Sequence, residues 1–167
     1  MPLPVDRVHR HASNPKLNRD GRFTGLVDDG RFTNELLFDP KHLYSVLKDQ
    51  DPKMIFVNEF SDLLHEALPM ELMLEHVRVF KAACWHQFQV LTKRSQRLTE
   101  LNDAILAEFA GWPENLWQRV SVCSAARIEM QRIEHLGATE AALEWIPFEP
   151  WVSDVNIPLH EAAPNLR

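Results

Sequence analysis

Residues 86–113, HQFQVLTKRSQRLTELNDAILAEFAGWP, contain one strand–helix unit and decide the fold class. HQFQVLT (86–92) is a short run that contains Phe88, Val90 and Leu91 and predicts a strand. The apolar residues of the following stretch recur at helical spacing, which predicts an amphipathic helix. They are Leu98, Leu101, Ile105 and Phe109. Gly111 and Pro113 end this helix, because glycine favours a left-handed terminus and proline cannot continue the hydrogen bonding.

Further strands and helices alternate on both sides of this unit. The other strand-like runs are MIFV (54–57), WQRVSV (117–122) and ALEWIPF (142–148). One helical stripe, introduced by Pro69, consists of Met70, Met73, Val77 and Phe80, and another consists of Ala126, Met130 and Ile133. This alternation predicts an α/β fold with a parallel sheet and right-handed crossovers. Four strands cannot close an eight-stranded barrel, so we expect an incomplete, TIM-barrel-like sheet with two open edges.

The N-terminal part of the sequence differs from the rest. Residues 1–20 show no periodicity and are rich in Pro, Asn, Arg and His, which predicts an irregular arm. The tetrad GRFT then occurs at 21–24 and again at 30–33, and Asp29-Gly30 between the two copies predicts a small hairpin. Asp39-Pro40 is an N-cap followed by proline at the first helical position, which predicts a short helix to about Leu47.

Composition limits the class of protein. The chain has 167 residues, of which 45% are hydrophobic and 25% charged, as in one soluble globular domain. A net charge of −6 argues against a broad surface for duplex DNA or anionic membranes. No apolar stretch is long enough to cross a bilayer, and the N-terminus lacks a secretory signal. We therefore expect a cytoplasmic protein in which Cys84 and Cys123 are thiols rather than a disulfide.

Polar side chains follow each predicted strand, where parallel α/β folds bind their ligands. The candidate ligand-binding residues are Asn58, Asp62, His65, Lys93, Arg94, Ser121 and Glu149. Lys93 and Arg94 lie at a helix start, where cations are unfavourable because the helix dipole is positive there. They therefore predict an anionic ligand group, such as a phosphate or carboxylate. No catalytic residue is assigned.

Each candidate also has a structural interpretation. Asn58 and Asp62 are of the types that satisfy backbone groups in turns and cap helices. The pair Lys93-Arg94 is alternatively a solvated surface pair, and Glu149 an exposed residue. His65-Glu66 carries too little spacing information for a metal site, so no metal is expected. Cys123 is predicted to be a small buried residue rather than a thiolate nucleophile.

Four segments together indicate a family resemblance. They are IFVNEFSDLLHEALP (55–69), FQVLTKRSQRL (88–98), WPENLWQRVSV (112–122) and the FEP within IPFEPWVSDVN (146–156). In this order they resemble a family of phage-associated proteins of unknown function that is itself similar to radical S-adenosylmethionine (SAM) enzymes. The resemblance makes 39–156 an incomplete radical-SAM-like α/β domain, preceded by an arm and hairpin at 1–38 and followed by a tail at 157–167.

The resemblance implies a [4Fe–4S] cluster and SAM, held in the family by an upstream Cys-x3-Cys-x2-Cys motif. This sequence has only Cys84 and Cys123, which cannot supply three thiolates. We therefore expect no cofactor in this chain and no radical chemistry from it alone, as in a shortened or degenerate relative or a fragment. The expected partner is a small anionic or nucleotide-like ligand. The alternative is a non-catalytic interaction protein, in which a homodimer or a protein partner caps the open sheet edges.

Overall fold

The computed structural model describes residues 14, 16, 24–29, 31–33, 35–57, 61–124 and 126–147. The chain forms two compact units, Met1–Leu43 and Tyr44–Arg167. Several sequence predictions lie outside the described residues. They concern most of the N-terminal arm, Asn58, Glu149 and the tail at 157–167.

The first unit contains the predicted hairpin. Strands β1 (Val27–Asp28) and β2 (Arg31–Phe32) pair antiparallel. Asp29 in the connecting turn has φ 43°, a left-handed conformation that aspartate tolerates better than most residues. Thr33 holds the base of the hairpin, because its hydroxyl donates a hydrogen bond of 2.7 Å to the carbonyl of Gly25. The hairpin prediction is therefore confirmed.

Helix α1 (Pro40–Ser45) begins as the sequence predicted. Asp39 Oδ1 accepts hydrogen bonds from the backbone N–H groups of Lys41 and His42, at 3.0 and 3.2 Å. This side chain thus satisfies N–H groups that have no partner within the helix. The helix ends slightly earlier than expected, since the N–H of Leu47 bonds to the carbonyl three residues before it rather than four.

The second unit alternates strands and helices as predicted. Its elements are β3 (Met54–Val57), α2 (Met70–Ala82), β4 (Gln87–Thr92), α3 (Ser95–Phe109), β5 (Leu116–Val120), α4 (Arg127–Gly137) and β6 (Glu144–Trp145). The four strands are all parallel and lie in the order β3-β4-β5-β6. Because the order never reverses, right-handed crossovers place the three helices on one face. The described residues thus form an α/β fold with an open sheet whose edges are β3 and β6.

The face that packs against the helices forms the core. Phe88 of β4 stacks on Phe80 of α2, with ring centroids 4.2 Å apart. Every second strand residue shares the face of Phe88. The other buried apolar residues of this layer include Val57, Val90, Leu116 and Val120 of the strands, and Met73, Val77, Leu98, Leu101, Ile105, Ile133 and Leu136 of the helices. Removing these side chains from water supplies most of the stabilisation of the fold.

The opposite face of the sheet, which we call the open face, is different in character. By alternation it carries Met54, Phe56, Gln87, Gln89, Leu91, Trp117, Arg119 and Trp145. Met54, Phe56 and Trp145 keep 63%, 43% and 42% of their surface exposed. Parallel sheets usually have both faces covered, so large exposed apolar side chains on this face are unusual.

The predicted last strand is shorter than its apolar run. Of the described residues in the predicted strand 142–148, only Glu144 and Trp145 pair with β5 as a strand. Pro147 has no N–H to donate and so cannot continue a regular ladder. Its carbonyl still accepts a hydrogen bond of 3.2 Å from the N–H of Val122, so the chain remains beside β5 at this point.

Candidate functional site

Asp62 joins two of the loops at the carboxyl edge of the sheet. Its Oδ1 accepts a hydrogen bond of 2.9 Å from the N–H of Leu64 within its own loop. Its Oδ2 accepts hydrogen bonds from the hydroxyl of Thr92 and from Nη1 of Arg94, both at 2.9 Å. Asp62 therefore fixes the loop after β3 to the end of β4, and 13% of its side chain is exposed.

Arg94 is held by two carboxylates. Besides Asp62, it donates from Nε to Oε2 of Glu66 at 2.7 Å. Burial disfavours its charge, but the hydrogen bonds to Glu66 and Asp62 raise the pKa of Arg94 above its ordinary value. The backbone N–H of Arg94 also donates to the hydroxyl of Thr92 at 2.9 Å, which fixes the residue directly before α3.

His65 lies in a turn of the same loop. Its N–H bonds to the carbonyl of Asp62 at 3.0 Å, and its Nδ1 accepts a hydrogen bond of 3.2 Å from the N–H of Ala67. Arg97 of α3 clamps this turn from the other side. Its Nη1 donates to the carbonyls of His65, Glu66 at 3.0 Å and Leu68 at 2.9 Å. The ring of His65 is thus engaged in local turn structure.

The loop after β5 is fixed by Glu129 and Arg132 of α4. Oε2 of Glu129 accepts hydrogen bonds from the N–H groups of Cys123 and Ser124, the latter at 2.8 Å. Burial opposes ionisation of Glu129, but these backbone donors lower its pKa below the ordinary value. Arg132 donates from Nη1 to the carbonyl of Ser121 at 3.0 Å. The N–H of Ser121 bonds to the carbonyl of Thr92 at 3.2 Å, so β4 and β5 end side by side.

An open cavity of about 610 Å³ lies where α3 and α4 begin, and we call it the α3–α4 cavity. It is lined by Glu66, Lys93, Arg94, Ser95, Gln96, Arg97, Glu100, Ile128, Gln131, Arg132 and His135. Four of these side chains are cationic and two are carboxylates, in a chain whose formal net charge is −6. Ser95 Oγ and His135 Nδ1 form a hydrogen bond of 2.9 Å across it. Its volume is within the range of about 300–1,000 Å³ that is usual for ligand pockets.

The two cysteines lie at opposite edges of the sheet. Cys84 is exposed and precedes β4, whereas Cys123 follows β5. Because β4 and β5 are parallel, their amino and carboxyl ends lie at opposite edges. A [4Fe–4S] cluster needs several thiolates on one side of a site, so these residues do not fit that group. Among the described residues, no cluster of three or more His, Cys, Asp or Glu side chains could hold a metal ion.

The structure brings together some of the predicted site residues. Asp62 and Arg94 form an ion pair, and Lys93 and Arg94 both line the α3–α4 cavity. His65 and Ser121 lie in the flanking loops, where their carbonyls accept hydrogen bonds from Arg97 and Arg132. We call the hydrogen bonds and ion pairs of Asp62, Arg94, Arg97, Glu129 and Arg132 the network of the carboxyl edge. For all of these residues, a role in ligand binding stays a prediction.

Three side chains of the network were missed by sequence reasoning. Arg97 was not identified, although it is in the first turn of α3, where a cation is unusual. Glu129 had a local signal, because an acidic residue at the third helical position often accepts from the preceding backbone. Arg132, one turn further, had no such signal.

The sequence model of DUF5131, a family described as "Protein of unknown function", matches residues 7–163. The chain belongs to the DUF5131 family. No curated protein gives a significant match to this DUF5131 chain, and no solved structure does. Within the part of the chain that the structure describes, no helix is long and apolar enough to span a membrane.

Proposed function

We propose that this DUF5131 chain is a degenerate relative of the radical SAM enzymes, of the phage-associated kind, that binds an anionic or nucleotide-like ligand in the α3–α4 cavity. It does so without performing radical chemistry, because its two cysteines cannot hold the cluster. The observation that carries the proposal is the position of Lys93, a cavity cation that forms no ion pair with a described residue, beside arginines that carboxylates already hold in place.

Lys93 is the side chain best suited to meet a ligand anion. It is exposed, lines the cavity, and forms no ion pair with another described residue. It lies two residues before Ser95, the first residue of α3. The first turn of α3 contains no acidic residue, and the side chain of its N-cap residue, Arg94, does not cap the helix N–H groups. The N–H groups of a helix start and its dipole both favour an anion. Lysine is a common phosphate ligand in such a position.

The arginines of the cavity are already held in place by the protein. Arg94 is fixed by Asp62 and Glu66, and Arg97 by three carbonyls. A guanidinium has five N–H donors, and each of these arginines keeps Nη2 without a hydrogen-bond partner among the described residues. Groups held in one geometry lose little entropy when a ligand binds. The network of the carboxyl edge therefore supports a binding role as well as the fold.

The ligand class can be tested with matched pairs of compounds. Adenosine 5′-monophosphate and adenosine differ by the phosphate, and S-adenosylhomocysteine and methylthioadenosine differ by the amino-acid group. At about 100 times Kd, a ligand stabilises the folded state by about 2.7 kcal/mol. For a chain of this size that raises Tm by about 5–10 °C. We expect such a rise with the anionic or zwitterionic member of at least one pair, measured by differential scanning fluorimetry.

Charge reversal provides the control. Lys93→Glu is expected to weaken binding about tenfold or more, because a hydrogen bond to a charged group contributes about 1.5–3 kcal/mol. Lys48→Glu makes the same change on an exposed residue before β3, at the other edge of the sheet, and is expected to bind as the wild type does. If no compound raises Tm, or if both variants lose binding equally, the proposal is wrong.

A second function is favoured by the exposed apolar residues of the open face. Met54 and Phe56 lie on edge strand β3, and Trp145 lies on edge strand β6. Open edges and apolar patches are surfaces through which proteins associate. On this alternative the chain acts as a dimer or binds a protein partner. Multi-angle light scattering at micromolar concentration is then expected to give twice the monomer mass, and a monomer would exclude the homodimer.

A further inference from the structure

His135 is a histidine of α4 that lines the α3–α4 cavity. The residues that α4 contributes to this lining are Ile128, Gln131, Arg132 and His135, which are three or four positions apart and therefore share one face of the helix. The half-buried ring of His135 lies against the start of α3, because its Nδ1 forms a hydrogen bond of 2.9 Å with Oγ of Ser95. Ser95 is only 6% exposed, so this bond holds the ring in one orientation.

The other ring nitrogen of His135 is available to a ligand. Nε2 has no hydrogen-bond partner among the described residues, and it is an accessible atom rather than a buried one. A neutral imidazole has one N–H donor, whereas a protonated ring has two. The hydrogen bond to Ser95 persists in the protonated ring, because a hydroxyl oxygen also accepts. Nδ1 then donates to Ser95, and Nε2 donates to whatever occupies the cavity.

The charged side chains around His135 favour an anion as that occupant. They come from the loop after β3, from α3 with the residues before it, and from α4. They are Glu66, Lys93, Arg94, Arg97, Glu100 and Arg132. Each of the three arginines forms an ion pair with a carboxylate, whereas Lys93 and His135 form none with a described residue. Lys93 is two residues from Ser95, which contacts the ring of His135, so one anion can meet both side chains.

We propose that His135 binds the anion in the α3–α4 cavity together with Lys93, and that its ring takes up one proton from the solvent when the anion binds. This inference rests on the proposed function and adds to it a second ligand-binding side chain and a dependence on pH. A neighbouring anion favours the charged form of a histidine. Histidine is also the side chain that ordinarily changes its charge between about pH 5 and pH 8. Anion binding is therefore expected to strengthen as the pH falls through this range.

Sulfate is the probe that tests this pH dependence. Its charge does not change near neutrality, whereas a phosphate monoester itself titrates at about pH 6. Sodium sulfate is titrated into the protein at about pH 6 and about pH 8, with sodium chloride keeping the ionic strength equal. Because the protonated ring adds a charged hydrogen-bond donor, we expect Kd to be about tenfold lower at the lower pH.

Two histidine variants show which residue is responsible. His135→Gln keeps a neutral polar side chain, so we expect it to bind sulfate equally at both pH values, and as weakly as the wild type does at the higher pH. His42→Gln makes the same change at an exposed position of α1 and is the matched control. It is expected to keep the pH dependence of the wild type.

The ¹⁵N resonances of the histidine rings report the proton itself, because they distinguish the neutral from the charged form. The signals that disappear in His135→Gln identify His135. At about pH 7.5, where a histidine is ordinarily mostly neutral, we expect sulfate to shift these signals towards the values of the charged ring. A residue that only supports the fold would not change its protonation in this titration.

The outcomes separate this inference from the proposed function. Sulfate binding that does not depend on pH, or that depends on pH equally in His135→Gln, contradicts the role of His135 and leaves the proposed function intact. Unchanged ring signals of His135 in the wild type contradict it as well. The absence of saturable sulfate binding at about pH 6 also overturns the inference. The proposed function is decided separately, by the nucleotide compounds and Lys93→Glu.

Discussion

Replacing Phe88 with alanine is expected to lower the free energy of unfolding by about 3–5 kcal/mol, the usual cost of Phe→Ala in a core. Phe88 is fully buried and stacks on Phe80, so the substitution removes both apolar burial and a ring–ring contact. The substitution leaves a cavity between the sheet and α2, and these elements cannot fill it without a shift of their backbones. Urea denaturation at neutral pH measures the change, with the slope of the transition checked for two-state behaviour.

Phe56→Ala is the matched control for that experiment. Phe56 is a phenylalanine of the neighbouring strand, but it lies on the open face and keeps 43% of its surface exposed. Its loss removes the cation–π contact with the buried Arg119 and part of an apolar surface that is already half exposed, so we expect a destabilisation of about 1–2 kcal/mol, clearly smaller than that of Phe88→Ala. Equal effects of the two substitutions would mean that both faces of the sheet are packed alike, contrary to the fold described above.

Glu129→Ala is expected to destabilise the protein by about 2–3 kcal/mol at pH 7, because two backbone N–H groups lose a charged acceptor. These are the N–H groups of Cys123 and Ser124, in the loop that connects β5 with α4. Only 14% of the Glu129 side chain is exposed, so water replaces it poorly. Glu134→Ala, an exposed position on the same helix, is the control and is expected to change stability little.

The effect of Glu129 should depend on pH in a defined direction. Although burial opposes ionisation, its hydrogen bonds lower the pKa in the folded state below the ordinary value of 4.5. The unfolded chain therefore takes up the proton first as the pH falls. The stabilisation by Glu129 is complete above about pH 4.5 and is lost as the pH falls through the lower folded pKa. The difference between wild type and Glu129→Ala is expected to narrow between pH 5 and pH 3 in urea titrations. A constant difference over this range would show that the carboxylate charge is not what stabilises the loop.

The course of the chain was largely predictable from local pattern. Leu98, Leu101 and Ile105 recur at helical spacing because one side of α3 must face the sheet, and all three are buried. The hairpin and the start of α1 depend on residues that are neighbours in sequence, and both were predicted. The length of β6 was overestimated. The apolar run predicts a strand over 142–148, but Pro147 in this run has no N–H group for the hydrogen bonding between strands.

The contacts of the carboxyl edge were not predictable in the same way. Asp62 and Arg94 are 32 residues apart, and their pairing depends on β3 and β4 being neighbours in the sheet. Arg119 lies in a run that predicts a strand, but nothing in that run indicates that its Nε and Nη2 atoms are buried without a hydrogen-bond partner among the described residues. Its contacts with the rings of Phe56 and Trp145 depend on the strand order, which brings residues of β3 and β6 to the two sides of β5. Local sequence predicted the elements, whereas the environment of each charge is a property of the assembled sheet.

The central claim is that the cationic α3–α4 cavity binds an anionic or nucleotide-like ligand. Isothermal titration calorimetry of the wild-type chain with adenosine 5′-monophosphate and with S-adenosylhomocysteine tests it most directly, beside Lys93→Glu and Lys48→Glu. We predict saturable binding of at least one compound at a single site, unchanged in Lys48→Glu and about tenfold or more weaker in Lys93→Glu. The absence of saturable binding to the wild type at millimolar concentrations of both compounds would contradict the account.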